Sequence, residues 1–82
     1  EDTLPYIEKI EEALTHMGEA IHKNIRKVDV CTRYSAMQYL IILSQPTEAE
    51  IPNIMTRIFM QYYKLQDSQN FTPTYEYITM KD

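Results

Sequence analysis

Apolar residues recur every three or four positions in the first quarter of the chain, with polar residues between them. The five apolar positions are Ile7, Ile10, Leu14, Met17 and Ile21. A helix places residues with this spacing on a single face. The pattern therefore predicts an amphipathic helix from about Leu4 to Asn24.

A second segment with helical spacing follows a break at Val28 and Asp29. Its main stripe consists of Val30, Tyr34, Met37, Ile41 and Ser44. Further apolar side chains between Tyr39 and Leu43 cover the other faces. We therefore predict a helix over 30–44, with Asp29 as its N-cap. Because it is apolar nearly all round, we expect it to lie centrally in the domain.

The rest of the chain also contains signals typical of helices. Thr47 and Glu50 have the spacing of a capping box, which predicts one short helical turn over 47–51. Pro52 would clash with a preceding turn, so we predict that a new helix begins there and runs to about Gln66. A turn is expected over 67–70. A last short helix is expected from Thr72, with a strand over 75–78 as the less favoured alternative.

These elements together predict an all-α fold, a compact bundle of four to five helices in one domain covering 1–82. Composition supports helices, because the chain holds a single glycine, Gly18. All-β folds use glycine at their frequent turns, and a phosphate-binding loop needs more than one. Gly18 lies inside the first predicted helix, where we expect another helix to approach closely.

The sequence offers little that predicts catalysis, a metal or a cofactor. His16 and His22 are six residues apart, so they lie on different faces of one helix. Cys31 is the single cysteine, which fits a reducing compartment. We therefore predict a non-enzymatic protein with no cofactor and no metal site. The longest apolar run, Tyr39–Leu43, is far shorter than the ~20 residues of a membrane span.

Charge is distributed unevenly along the chain, whose net charge is −4. Residues 1–20 hold six acidic residues and one lysine, whereas residues 21–35 hold four basic residues and one aspartate. The four basic residues are Lys23, Arg26, Lys27 and Arg33. We expect this basic end to receive an acidic partner segment. A net-acidic chain is not typical of a nucleic-acid-binding domain.

Two stretches resemble a known family. The first is Ile25-Arg26-Lys27-Val28-Asp29-Val30, followed by Ala36-Met37 and Leu40; the second is Ile54-Met55-Thr56-Arg57-Ile58, followed by Tyr63-Lys64-Leu65. Both resemble the integrase-binding domain of lens-epithelium-derived growth factor and its hepatoma-derived-growth-factor relatives. That domain is similar to the helical N-terminal domain of elongation factor TFIIS.

The resemblance implies a nuclear docking module that binds short disordered motifs of chromatin or transcription proteins. These motifs carry acidic residues and a Phe, and interhelical loops at one end of the bundle hold them. Carried over by position, Ile25 lines the pocket, Tyr63 and Leu65 stand in the second loop, and Lys64 meets a partner acid. Our own interpretation of the sequence adds Lys23, Arg26, Lys27 and Phe71 to the expected partner-binding residues.

Two alternatives remain open from the sequence. One is a self-associating structural module, with a homodimer formed through the stripe from Ile7 to Ile21 or through a Tyr- and Met-rich surface. The other is a small regulator whose acidic first helix occludes a basic partner. The chain begins Glu1-Asp2-Thr3 without Met, from which we expect a processed product or a fragment.

Overall fold

In the part of the chain that the structure describes, two helices flank a β-hairpin. The computed structural model describes residues 3–65 and 71–80. Their elements are α1 (Thr3–Asn24), β1 (Val30–Ser35), β2 (Gln38–Ile42) and α2 (Glu50–Leu65). The strands pair in antiparallel orientation. The described part of the chain is therefore an α+β fold, and the prediction of an all-α bundle of four to five helices, similar to the TFIIS N-terminal domain, is wrong.

The first predicted helix is confirmed by α1, whose last residue is Asn24 as expected. Its apolar stripe forms one side of the core, where Leu14 and Ile21 are buried and Met17 packs against buried neighbours. Ile7 is half exposed, because the helix extends beyond the core at that end. Helical spacing over about four turns, from Ile7 to Ile21, was enough to predict this element.

The predicted helix over 30–44 is wrong, because this segment forms the hairpin. Val30 pairs with Ile42, and Cys31 pairs with Ile41. In a strand, alternate side chains point to opposite faces, and here Cys31 and Ile41 pack against the core. The segment is rich in β-branched and aromatic residues, which fit a pleated, half-buried surface. Asp29 consequently caps no helix.

The hairpin turns without glycine, which is why the composition did not reveal it. Ala36 and Met37 connect the strands, and β1 carries one extra residue, Tyr34, in a bulge beside the turn. The Arg33 guanidinium donates hydrogen bonds to the carbonyls of Ser35 (3.2 Å) and Ala36 (2.9 Å). These hydrogen bonds stabilise the turn, which lacks the Asn-Gly pair by which such hairpin turns are usually recognised in a sequence.

The helix α2 is one continuous element that includes Pro52 in its first turn. The predicted short helix over 47–51 and the new start at Pro52 are therefore wrong. The first amide groups of a helix have no intrahelical acceptor, so proline removes no bond there. The Glu50 carboxylate accepts a hydrogen bond from the Thr47 amide at 2.8 Å, which is one of the two bonds of a capping box.

Residues 71–80 have no regular secondary structure. The predicted last helix from Thr72 is therefore wrong, and the alternative strand over 75–78 is not formed either. This segment is held by ring contacts, Phe71 with Tyr6 and Tyr75 with Phe59, each with 5.9 Å between ring centroids. The turn expected over 67–70 lies outside the described residues.

The core lies between α1 and α2. Its buried residues are Ala13, Ala20, Ile21, Ile58 and Tyr62. Tyr62 Oη donates to the Phe71 carbonyl at 2.9 Å, and the Phe71 ring contacts Tyr6 near the start of α1. The end of α2 therefore lies near the beginning of α1, so the two helices run antiparallel.

Candidate functional site

A cleft of about 280 Å³ lies where α1 passes into β1. Its lining residues are His22, Ile25, Arg26, Lys27, Asp29 and Cys31. Three of the residues predicted to bind a partner, Ile25, Arg26 and Lys27, therefore share this cleft. Ile25 and Cys31 are half-buried and pack against the core, so they give the cleft an apolar wall.

The side chain of Asp29 organises the loop beneath the cleft. Its Oδ2 accepts a hydrogen bond from the Arg26 amide at 2.8 Å, and its Oδ1 accepts one from the Ser44 amide at 2.9 Å. The Arg26 guanidinium also donates to this carboxylate at 3.3 Å, and to the Ser44 carbonyl. The loop before β1 is thereby tied to the chain that leaves β2.

Asp29 remains charged in this setting. Burial by itself would raise the pKa of its carboxyl. Hydrogen bonds from the amides of Ser44 and Arg26, together with the Arg26 guanidinium, outweigh burial and hold this pKa below its ordinary value. The Asp29 side chain is 2% exposed, whereas that of Arg26 is 61% exposed. The negative charge is thus buried and partnered, and the positive charge faces solvent.

The rim of the cleft is consequently basic. Arg26 and Lys27 are exposed on it, and Lys23 is exposed in the last turn of α1 immediately before. Cys31 contributes no charge, because burial raises the pKa of its thiol. A thiol of this kind is a poor nucleophile at neutral pH. The cleft therefore combines an apolar wall with exposed cations.

The remaining predicted site residues lie elsewhere. Lys64 is exposed and Leu65 half-buried at the last turn of α2, while Tyr63 and Phe71 pack against the core. Phe71 contacts Tyr6 near the start of α1, and this helix of 22 residues is about 33 Å long. The structure therefore does not bring this second group together with Ile25, Arg26 and Lys27.

Sequence reasoning missed one surface entirely, the outer face of the hairpin. We use this name for Val30, Thr32, Leu40 and Ile42, which point away from the core. Val30 is 51% exposed, and Leu40 and Ile42 are each 43% exposed. No alternation of polar and apolar residues marks this face in the sequence, because residues 39–42 are a continuous apolar run, and periodicity alone does not assign such a run to a strand or a helix.

The described residues include no group of three His, Cys, Asp or Glu side chains placed to hold a metal ion. In the same part of the chain, no helix has the length and apolarity to cross a membrane. The prediction that the protein is not an enzyme stays a prediction.

Comparisons with protein-family models, with curated proteins and with solved structures found no match to this chain. The resemblance to the integrase-binding domain therefore stays a prediction from the sequence, as do the nuclear location and the chromatin partners that it implies. The regulator hypothesis, in which acidic α1 occludes a basic partner, also stays a prediction. Function is argued below from the arrangement of this chain's own residues.

Proposed function

We propose that this chain is a protein-docking domain, and that its site is the basic cleft at the end of α1. The ligand is a short acidic segment of a partner protein that also carries one apolar anchor. The observation that carries the proposal is the combination in one cleft of an apolar wall, formed by Ile25 and Cys31, with exposed Arg26 and Lys27.

The apolar anchor of the partner binds against Ile25 and Cys31. A cleft of about 280 Å³ is close to the lower limit of the cavities that hold small ligands, about 300 Å³. It therefore has room for one large side chain rather than for a folded domain. An extended segment fits this size.

The acidic residues of the partner pair with Lys23, Arg26 and Lys27. Charges of opposite sign across an interface raise the association rate and select among partners. Asp29 pairs with Arg26 and offsets its charge, so Lys23 and Lys27 supply the net positive charge of the rim. The same contacts hold the Arg26 guanidinium at the edge of the cleft, where it can donate hydrogen bonds to a partner.

The test is a selection of random peptides on the immobilised domain, followed by fluorescence anisotropy with one selected peptide. We expect the selected sequences to join acidic residues to a Phe or Leu. Lys27→Glu should weaken binding about tenfold or more, because it replaces an attraction by a repulsion. High salt should weaken binding to the unchanged domain as well.

Lys64→Glu is the matched control, since it makes the same charge change at the other end of the molecule. It should leave peptide affinity unchanged. An equal loss of peptide affinity in Lys27→Glu and Lys64→Glu would show that binding depends only on the net charge of the protein. That result would overturn the cleft as the binding site. Selection of basic or charge-free peptides would overturn the proposed ligand.

A further inference from the structure

Among the described residues that line the docking cleft, His22 alone has no role in the function proposed above. It is exposed in the last turn of α1, and its side chain faces the cleft together with those of the loop and of β1. Histidine is the side chain whose charge ordinarily changes between about pH 5 and 8. The positive charge of the cleft therefore depends on the state of this imidazole.

The other lining residues keep a constant charge over the same range. Arginine and lysine are charged throughout it, so Arg26 and Lys27 are positive at both ends. Burial opposes ionisation of Asp29, but its hydrogen bonds and the Arg26 guanidinium outweigh burial and lower the pKa of this carboxyl, which stays negative. Burial raises the pKa of the Cys31 thiol, which stays neutral. Of the described residues that line the cleft, only His22 changes its charge.

Charges of both signs surround this histidine. The loop before β1 brings Arg26 and Lys27 to the cleft beside the buried carboxylate already described. On α1 itself, Lys23 is the next residue, and the exposed Glu19 lies one turn earlier, at a spacing that makes two side chains neighbours on a helix. Three cations thus face two carboxylates. The charges of the chain itself oppose, on balance, a further positive charge on His22.

A carboxylate of the partner segment changes this balance. Once it pairs with the rim, it offsets the cations and provides an acceptor for the imidazole N–H groups. Coupling of this kind is reciprocal. If the protonated form of His22 binds the acidic segment more tightly, the bound segment must favour protonation of His22 by the same factor.

We propose that His22 couples docking of the acidic segment to the uptake of a proton, so that the cleft binds the segment more tightly at mildly acidic pH. The inference rests on the proposed function and assigns the regulation of the same cleft. The imidazole accepts one proton from solvent and becomes imidazolium. Its N–H groups then donate to a carboxylate of the partner.

The test is fluorescence anisotropy with one selected acidic peptide that contains no histidine, at about pH 8 and about pH 5.5 and at constant ionic strength. Both values lie above the ordinary pKa values of Asp and Glu, about 3.9 and 4.3, so the peptide keeps its charge. We expect affinity to be about two- to fivefold higher at the lower pH, the range for one exposed ion pair. His22→Gln should remove this difference, because glutamine is neutral at both pH values.

His16→Gln is the matched control. It makes the same change on the same helix, about 9 Å nearer the start of α1, at a residue that does not line the cleft. It should keep the difference between the two pH values. An equal reduction by His16→Gln and His22→Gln would show an effect of overall charge, and would overturn His22 as the coupled residue.

The homodimer that the sequence left open as an alternative stays a prediction, and a change in self-association with pH has to be separated from docking. Sedimentation velocity of the unchanged chain and of His22→Gln at both pH values makes this separation. We expect one sedimentation coefficient throughout. A change with pH that is equal in the two chains and accompanies the change in affinity would assign the effect to self-association and overturn the inference.

Titration calorimetry at about pH 6.5, in two buffers of different ionisation enthalpy, measures the protons taken up on binding. We expect a fraction of one proton for the unchanged chain and none for His22→Gln. If Lys27→Glu loses the peptide but the unchanged chain binds it equally at both pH values, this inference is overturned and the docking cleft stands. Peptide binding that survives Lys27→Glu would overturn the docking cleft, and this inference with it.

Discussion

The hydroxyl of Tyr39 lies directly over Gly18, 2.8 Å from the position that a Cβ atom would occupy there. It is held in place by a hydrogen bond of 2.7 Å to the Leu14 carbonyl. Because Gly18 has no side chain, Tyr39 of β2 can lie against α1 at this point. The sequence analysis expected a second helix to make this close approach. This contact docks the hairpin on α1.

Coupling between Gly18 and Tyr39 gives the first prediction. Gly18→Ala gains about 1 kcal/mol of helix propensity but displaces the hydroxyl and its hydrogen bond, which is worth about 1 kcal/mol. We expect little net change or a small loss in unfolding free energy. In the Tyr39→Phe background the obstacle is gone, so Gly18→Ala should stabilise by up to about 1 kcal/mol. Urea unfolding of the four chains measures the coupling, and equal effects in both backgrounds would contradict it.

Asp29 gives the second prediction. Asp29→Ala removes the acceptor of several hydrogen bonds from Arg26 and Ser44. We expect a loss of about 2–3 kcal/mol in unfolding free energy, the range for hydrogen bonds to a charged group. Glu76→Ala, at an exposed position outside the regular elements, is the control and should change stability by less than about 0.5 kcal/mol. Chemical unfolding at neutral pH checks both values.

The pH dependence of stability gives the third prediction. Because the folded pKa of Asp29 is lowered, its contribution is present above the unfolded pKa of about 3.9. It is lost as pH falls through the folded pKa. The difference in unfolding free energy between the unchanged chain and Asp29→Asn should therefore be largest near neutrality and shrink below about pH 4. A constant difference across this range would show that Asp29 does not titrate as proposed.

Gln45 gives the fourth prediction. Its φ is 54°, and it is the one non-glycine residue with positive φ in the described part of the chain. A residue with a Cβ loses roughly 1 kcal/mol in this conformation. Gln45→Gly should therefore raise the melting temperature by a few degrees, net of the entropy that glycine adds to the unfolded chain. Gln61→Gly, within α2, should lower stability by about 1 kcal/mol. Calorimetry of both variants decides the sign.

The core gives the fifth prediction. Ile58 is fully buried between the helices, whereas Ile78 is 84% exposed. Ile58→Ala should lower the unfolding free energy by about 2–5 kcal/mol, because it removes buried atoms and leaves a cavity. Ile78→Ala should change it by less than about 0.5 kcal/mol. Similar effects of the two substitutions in urea unfolding would contradict the assignment of the core to the space between α1 and α2.

The helices could be predicted because their signal is long and local. Apolar spacing over many turns determines which face of a helix is buried, and it predicted α1 and most of α2, although α2 begins at Glu50 and not at Pro52. The capping pair of Thr47 and Glu50 is also local, and one of its hydrogen bonds is present. The clustering of basic residues from Lys23 to Lys27 could also be predicted without the tertiary structure, because residues this close in sequence are also close in space.

The hairpin could not be distinguished from a helix in the same way. Over residues 30–42 the apolar residues can be placed on a helix, the apolar run over 39–42 has no period of two that would indicate a strand, and no glycine marks the turn. The choice depends on contacts far apart in sequence. Tyr39 reaches Leu14, and Asp29 joins the chain at Ser44.

What the sequence determined by itself is therefore the two helices, apart from the first turn of α2, and a basic end near Ile25. Tertiary structure alone decided that Tyr63 and Phe71 lie far from this end, because antiparallel packing of α1 and α2 separates them by most of a helix length. It also decided which face of the hairpin is left exposed. The physical reason is that a strand has no internal hydrogen bonds, so both its existence and its orientation come from its partners.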